Sequence, residues 1–319
     1  MILPGISLMN EGLNVGGQAV LEGVMMRSPS ALAVAVRKAN GEVAIKKNPW
    51  RSISTRFPWL SLPFIRGSVV LFEALVNGLD ALTFSANQAL DDEDEGEMNL
   101  WVMGLTIAAA IGLGLFLFVV LPHYLSLLLG RVGPVRFGVA SAAFHTLDGF
   151  FKLAFFIGYI WLISRVKEIG RLFEYHGAEH KSIYAYEAGQ ELTVENARRH
   201  TTLHPRCGTA FILIVLIISI LFFSVIFPLI SSTGREGGWA LNLIYVAIKI
   251  VLMLPIAGIA YEINRYASKH MDQILFKAAI MPGLWVQKLT TREPSDDQIE
   301  IALIALKTTL SLEAAQSAS

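Results

Sequence analysis

A chain of 319 residues with 54% hydrophobic and only 16% charged residues is too apolar for an ordinary soluble domain, since such domains carry about 25% charged residues. Its net charge of +0 at pH 7 gives no argument for nucleic acid, and none is expected as a partner. The single cysteine, Cys207, cannot form an intrachain disulfide, so nothing requires an oxidising compartment.

The first residues, MILPGISLMNEG, lack a basic region followed by an apolar core. No cleavable signal peptide is expected, and internal segments must direct the chain to a membrane. Residues 1–57 read as a small β-rich element on the cytosolic side. In ALAVAVRKANGEVAIKK, Val34 and Val36 alternate with small residues, Asn40-Gly41 signals a type I′ turn, and Val43 and Ile45 alternate on the return strand. The preceding NVGGQAVLEGVMMRSP, with Gly16, Gly17 and Gly23, predicts one glycine-punctuated strand feeding the same sheet. Glu22 or Arg27 on that strand could approach the histidine-rich loop described below.

Residues 58–98 predict an amphipathic helix and an acidic linker. From Phe64 to Leu90, Arg66, Glu73, Asn77, Asp80 and Asn87 form one polar stripe at helical spacing. Each charge at the centre of a span costs about 2.5–3.5 kcal/mol, so this helix is expected to lie on the membrane or against the helical bundle. The acidic run Asp91–Glu97 reads as a solvated linker.

Four transmembrane spans are expected over residues 99–263: Leu100–Leu121 closed by Pro122, one within Phe137–Ser164, Thr209–Ile230, and Trp239–Ile263. In the first, Ala108/Gly112 and Ala110/Gly114 permit close helix contact. The loop at 165–208 carries Arg165, Lys167, Arg171, Lys181, Arg198, Arg199 and Arg206, whereas the other short connections hold few cations. The positive-inside rule therefore places that loop and both termini in the cytosol. Residues 264–319 predict C-terminal cytosolic helices, with a break at Pro282-Gly283. A capping box at Ser295-Asp-Asp-Gln298 then opens a last helix whose Ile299, Ala302, Leu303 and Leu306 share a face. The expected fold is mainly α and polytopic: four transmembrane helices, a small N-terminal β-hairpin element and cytosolic amphipathic helices. No internal repeat supports an inverted-repeat transporter.

The chemistry concentrates in the 165–208 loop. His176 and His180 are four residues apart, so a helix would present both imidazoles on one face, with Glu179 beside them. His176-Gly-Ala-Glu179-His180 fits the H-x-x-E-H pattern, in which two histidines hold Zn²⁺ and the glutamate acts as base. His204-Pro-Arg-Cys207 adds an imidazole and a thiol, a mixture of donors that zinc favours. If His176, His180, His204 and Cys207 all bind, the site is closed and structural; with three protein ligands it stays open. The third ligand is then Cys207, His204 or a carboxylate such as Glu187 or Glu195, with Glu179 as base and Arg206 stabilising developing negative charge. A lone cysteine preceding a span also serves commonly as a small buried hydrophobe. A second constellation lies in the second span, where His145, Asp148 and Lys152 line one face and Lys249 of the fourth span could pair with Asp148. Such a group is either a buried ion pair or part of a small-ion pathway.

GGQAVLEGVMMR (Gly16–Arg27), YHGAEHK (Tyr175–Lys181) and HPRCGT (His204–Thr209) resemble the signatures of DUF1385, the YqhQ-like bacterial membrane proteins. ELTVEN and the late PGL at Pro282–Leu284 fit the same resemblance. It implies a multi-pass bacterial membrane protein and a predicted metal-dependent enzyme, without naming a substrate. The expected function is a zinc-dependent hydrolase at the cytosolic membrane face, acting on a peptide, amide or lipid-linked substrate. The alternatives are a metal-stabilised scaffold or assembly factor docking a membrane or cytosolic protein, and a small transporter using the His145/Asp148/Lys152 face. The lipid bilayer is the partner that composition itself demands.

Overall fold

The computed structural model describes residues 13–89, 100–133, 137–139, 141–230, 239–270 and 273–317. Its N-terminal part is a four-stranded antiparallel sheet, in the order β1 (Gly16–Val20), β2 (Gly23–Arg27), β3 (Ala31–Arg37) and β4 (Val43–Pro49). The segment expected as one punctuated strand is thus a tight hairpin. Leu21 and Glu22 reverse the chain, Val20 faces Gly23, and Glu22 takes a positive φ of 51°. Gly23 lets β2 lie close against β3, because any Cβ there would meet the Ala35 carbonyl oxygen at 2.2 Å. The β3–β4 hairpin forms as the alternation predicts, although its turn is not type I′. That type needs two central residues with positive φ, and here Gly41 alone has one, at 87°. Gly41 N–H donates to Lys38 O at 3.0 Å, and the Asn40 side chain accepts from Glu42 N–H at 3.0 Å.

The helices follow as α1 (Ile53–Arg56), α2 (Arg66–Ala89), α3 (Leu100–Leu115), α4 (Leu121–Val132), α5 (Ala142–Ile163), α6 (Lys167–Glu187), α7 (Val194–Arg198), α8 (Gly208–Ile230), α9 (Trp239–Lys269), α10 (Ile274–Thr290) and α11 (Asp296–Ser317). The two inner strands are apolar on both faces because both faces are covered. Val24, Met26 and Ala35 pack with Tyr175 and Ala178 of α6 and with Ile299, Ala302 and Leu306 of α11. On the other face Val20, Met25, Leu32, Val34 and Val36 pack against Ala81, Leu82 and Phe84 of α2.

Among the described residues five helices are long and apolar enough to cross a membrane: Arg66–Gln88, Gly104–Val132, Ala142–Ile163, Gly208–Leu229 and Asn242–Lys269. Four were expected from the sequence, with α2 set apart for its charges. In the structure those charges are paired: Arg66 with Glu262 of α9, Asp80 with Lys46 at 2.7 Å, and Glu73 with the Ser52 hydroxyl at 2.7 Å. Pro122 does not close the first span. A π-turn at Phe116–Val120 widens the helix just before it, with Leu121 N–H reaching back to Phe116 O, and the chain continues into α4. That wider turn accommodates the missing N–H and the bulk of the proline ring, which would clash in a regular helix. Nor does Pro282-Gly283 break α10, since Ile280 and Leu284 on either side are buried with Ala267. Gly283 also lets α10 approach α8, where an added Cβ would lie 2.6 Å from Ala210 Cβ. The acidic run Asp91–Glu97 and the loop cations Arg136 and Arg235 lie outside the described residues.

Glu313 fastens α11 to the β2–β3 connection, its Oε2 accepting from Ser28 Oγ at 2.7 Å, Ser30 N–H at 2.9 Å and Ser30 Oγ at 2.6 Å. Burial pushes this carboxyl up, yet the serine hydrogen bonds prevail and hold it below the usual glutamate range. A carboxylate depressed in the folded state adds stability above its unfolded value of about 4.3, and that stability is lost as pH falls through the lower native value. Glu313→Gln should therefore cost about 1 kcal/mol at neutral pH and less in acid, as read by thermal unfolding in detergent at both pH values.

Candidate metal centre

One face of α6 is held in the core by Tyr175, Ala178, Ile183 and Ala185. Helical spacing then turns His176, Glu179 and His180 toward the segment that leads into α8. There His204-Pro-Arg-Cys207 makes a turn, with Cys207 N–H donating to His204 O at 3.3 Å. His176 Nε2 lies 3.2 Å from Cys207 Sγ, and the His176 and His180 rings are 4.4 Å apart between centroids. One donor atom from each of His176, His180 and Cys207 falls within 4.8 Å of the others, as one ion would require.

The far side of each ring explains its orientation. His176 Nδ1 sits 2.8 Å from Thr290 O, and His180 Nδ1 contacts Thr202 O. A carbonyl only accepts, so both Nδ1 atoms carry hydrogen and donate. In the neutral ring the lone pair is then on Nε2, facing into the site. This carbonyl support is the usual arrangement behind metal-bound histidines.

The supporting backbone is itself fixed. Lys181, 3% exposed, donates to Arg198 O at 2.9 Å and His200 O at 2.7 Å, and pairs with Glu293 at 2.7 Å. Gln287 of α10 clamps His204 through two bonds of 2.8 Å, one from His204 N–H and one to His204 O. Tyr184 O–H donates to Leu203 O at 3.0 Å.

Glu179 is 5% exposed, and its Oε2 is 3.9 Å from His176 Nε2. Strand β1 roofs this carboxylate: a Cβ on Gly17 would meet Glu179 Cγ at 2.6 Å and Oε1 at 2.8 Å. Gly17 is thus a site residue that sequence reasoning passed over, although the Gly16-Gly17 pair in the first motif was its signal. The carbonyl partners Thr290 and Thr202 left no signal, because any residue supplies a carbonyl.

His204 stands beside the three converging donors. Its Nδ1 accepts from Arg206 N–H at 3.3 Å and its Nε2 faces Glu187 Oε2 at 3.4 Å, while Arg206 and Glu187 form an ion pair. Glu22 reaches α6 lower down, pairing with Arg171 and accepting from Tyr175 O–H at 3.4 Å. Arg27 stacks over Trp50 at 4.4 Å, and Glu195 pairs with Arg199 on the surface. His145, Asp148 and Lys152 are buried in α5, where Lys152 bonds Asp148 one turn away, and Lys249 of α9 bonds Asp148 as well.

Electrostatics favours the thiolate of Cys207 and a protonated His176, whose Nε2 proton a metal would have to displace. Burial alone would raise the Cys207 thiol, but His176 and His180 bring it well below its ordinary value. Thiolate is the form that binds metal. Burial alone would lower His176, yet the Cys207 charge and hydrogen bond, with Glu179, raise it to about 9. Burial and the neighbouring His180 push His204 down to about 3, so it stays neutral. Glu179 is raised by burial, against the pull of His180 and His176.

A family described as a protein of unknown function, DUF1385, matches residues 62–312 of this chain. The chain belongs to the DUF1385 family. A relative described as the uncharacterized protein YqhQ of Bacillus subtilis (strain 168) is 32% identical over 311 residues, covering 94% of this chain and 93% of the relative. No solved structure matches. The DUF1385 match contains all three converging donors and Glu179, whereas Gly17 precedes it.

Gly17→Ala should displace Glu179 and loosen β1 from α6, lowering stability by about 1–3 kcal/mol in thermal unfolding. Gly16→Ala, with nothing within 4 Å of its Cβ, should be close to neutral by the same measurement.

Proposed function

We propose that this DUF1385 chain is a bacterial cytoplasmic-membrane protein with a Zn²⁺ site at His176, His180 and Cys207, acting as a hydrolase at the cytosolic face. The observation that carries the reading is the pair of Nδ1–carbonyl bonds, which turn two Nε2 atoms toward the Cys207 sulfur within one ion's reach. Nitrogen and sulfur donors suit zinc, and three protein ligands leave the open position typical of catalytic sites. Four spans fit best, because the C-terminal half of α2 is covered by the sheet at Ala81, Leu82 and Phe84. The cation-rich 165–208 loop and both termini then face the cytosol.

Zinc held there supplies Lewis acidity to a carbonyl or phosphoryl oxygen. The protein's own groups do the rest. Glu179, buried and with a raised pKa, takes the proton from the attacking water and hands it to the leaving group. Strand β1 shields that carboxylate from bulk water at Gly17. His204, Glu187 and Arg206 form a paired unit that fixes the turn carrying Cys207. The substrate class is a peptide, amide or lipid-linked compound reached from the membrane face.

Purified protein should contain about one zinc per chain by atomic emission, and His180→Ala and Cys207→Ala should each lose most of it. Glu179→Gln should keep the metal yet lower hydrolysis of a panel of chromogenic esters and peptides by about 100-fold or more. Cobalt-substituted protein gives an independent readout, since its visible bands should shift on adding azide if a coordination position is open. Full metal content with azide-insensitive bands would replace catalysis by a closed, structural role that anchors a membrane scaffold.

A further inference from the structure

A second buried polar group lies inside the helices long enough to cross a membrane, apart from the His/His/Cys site. Asp148 Oδ2 in α5 accepts from Lys152 Nζ at 2.9 Å and from Lys249 Nζ of α9 at 2.7 Å. All three side chains are 1% exposed. Among the described residues Asp148 is the only carboxylate paired with either ammonium.

Among the described residues the surroundings add no second negative charge. From α4, His123 Nδ1 lies 3.3 Å from Lys249 Nζ, with Ser126 also buried on that helix. From α5, His145 Nε2 donates to Val139 O at 2.8 Å. Helix α8 contributes the rings of Phe223 and Phe227, behind which Tyr245 of α9 packs; Phe144 of α5 faces Lys249 at 5.2 Å. Asn242 of α9 lies toward His123. Two ammoniums and one carboxylate leave the cluster with an odd charge. An unbalanced charge in a medium without water costs several kcal/mol, so the cluster must gain an anion or give up a proton.

Four buried polar atoms here have no hydrogen-bond partner: Asp148 Oδ1, His145 Nδ1, His123 Nε2 and Ser126 Oγ. Two are proton acceptors beside the lysines. Asp148 Oδ1 belongs to the carboxylate already bonded to both ammoniums, and His145 Nδ1, whose ring hydrogen is committed to Val139 O, carries a bare lone pair.

We propose that Asp148, Lys152 and Lys249 form a proton-exchange site within the helical bundle, a functional centre distinct from the metal site. In the exchange a lysine N–H bond breaks, its electron pair stays on Nζ, and the proton passes to Asp148 Oδ1 or His145 Nδ1 and on to solvent. The reverse transfer restores the ammonium.

The test is solid-state NMR on ¹⁵N-lysine-labelled protein in lipid bilayers, titrated from neutral to acidic pH. One Nζ resonance should appear as an uncharged amine at neutral pH and convert to ammonium as pH falls. Lys152→Met and Lys249→Met should each abolish that resonance, because one lysine then balances one carboxylate. Ammonium signals alone across the titration of the wild type would overturn the proposal, whether or not either variant folds. A resonance that follows replacement of chloride by gluconate rather than pH would make a bound anion the balancing charge, and would overturn it equally.

Discussion

Helix α6 is gripped from two sides, and the rest of the structure follows from that double constraint. Its apolar face is one wall of a core shared with the sheet and α11. Its polar face is fixed by two backbone carbonyls, Thr290 O at the end of α10 and Thr202 O before α8. Neither grip alone would set the rings. The core fixes the rotation of the helix, and the carbonyls fix which nitrogen of each imidazole looks inward. The sheet, the C-terminal helix and the start of α8 thereby meet at one place.

Much of this was legible in the chain. Alternation at Val34 and Val36 marks a strand, and the spacing of His176, Glu179 and His180 marks a helical face. The long apolar helices announce themselves by composition. What was not legible depended on long-range packing. Pro122 and Pro282 both read as stops, yet a π-turn absorbs one and buried neighbours on both sides hold the other in a helix. The charges of α2 argued against a span, but their partners, Lys46 and Glu262, could not be read because they are remote in sequence. The Asn40-Gly41 pair correctly marked a hairpin, but a single left-handed residue sufficed to close it.

The site shows the same division. Residue types and spacing pointed to His176, His180 and Cys207, and the structure brings those three together. His204 carried an equal signal in the sequence, but its two ring nitrogens engage Arg206 N–H and Glu187 instead. Spacing says which side chains share a neighbourhood. It does not say which way an imidazole turns, because that is decided by whatever lies behind it.

The contacts of Glu313 bear on how the molecule is made. Its carboxylate bonds Ser28, 285 positions earlier in the chain. Strands β2 and β3 bury one face against α11, so they cannot complete that packing until α11 has been synthesised. Until then that face of the sheet stays apolar and uncovered. The sheet is thereby finished late, by a helix made long after its strands.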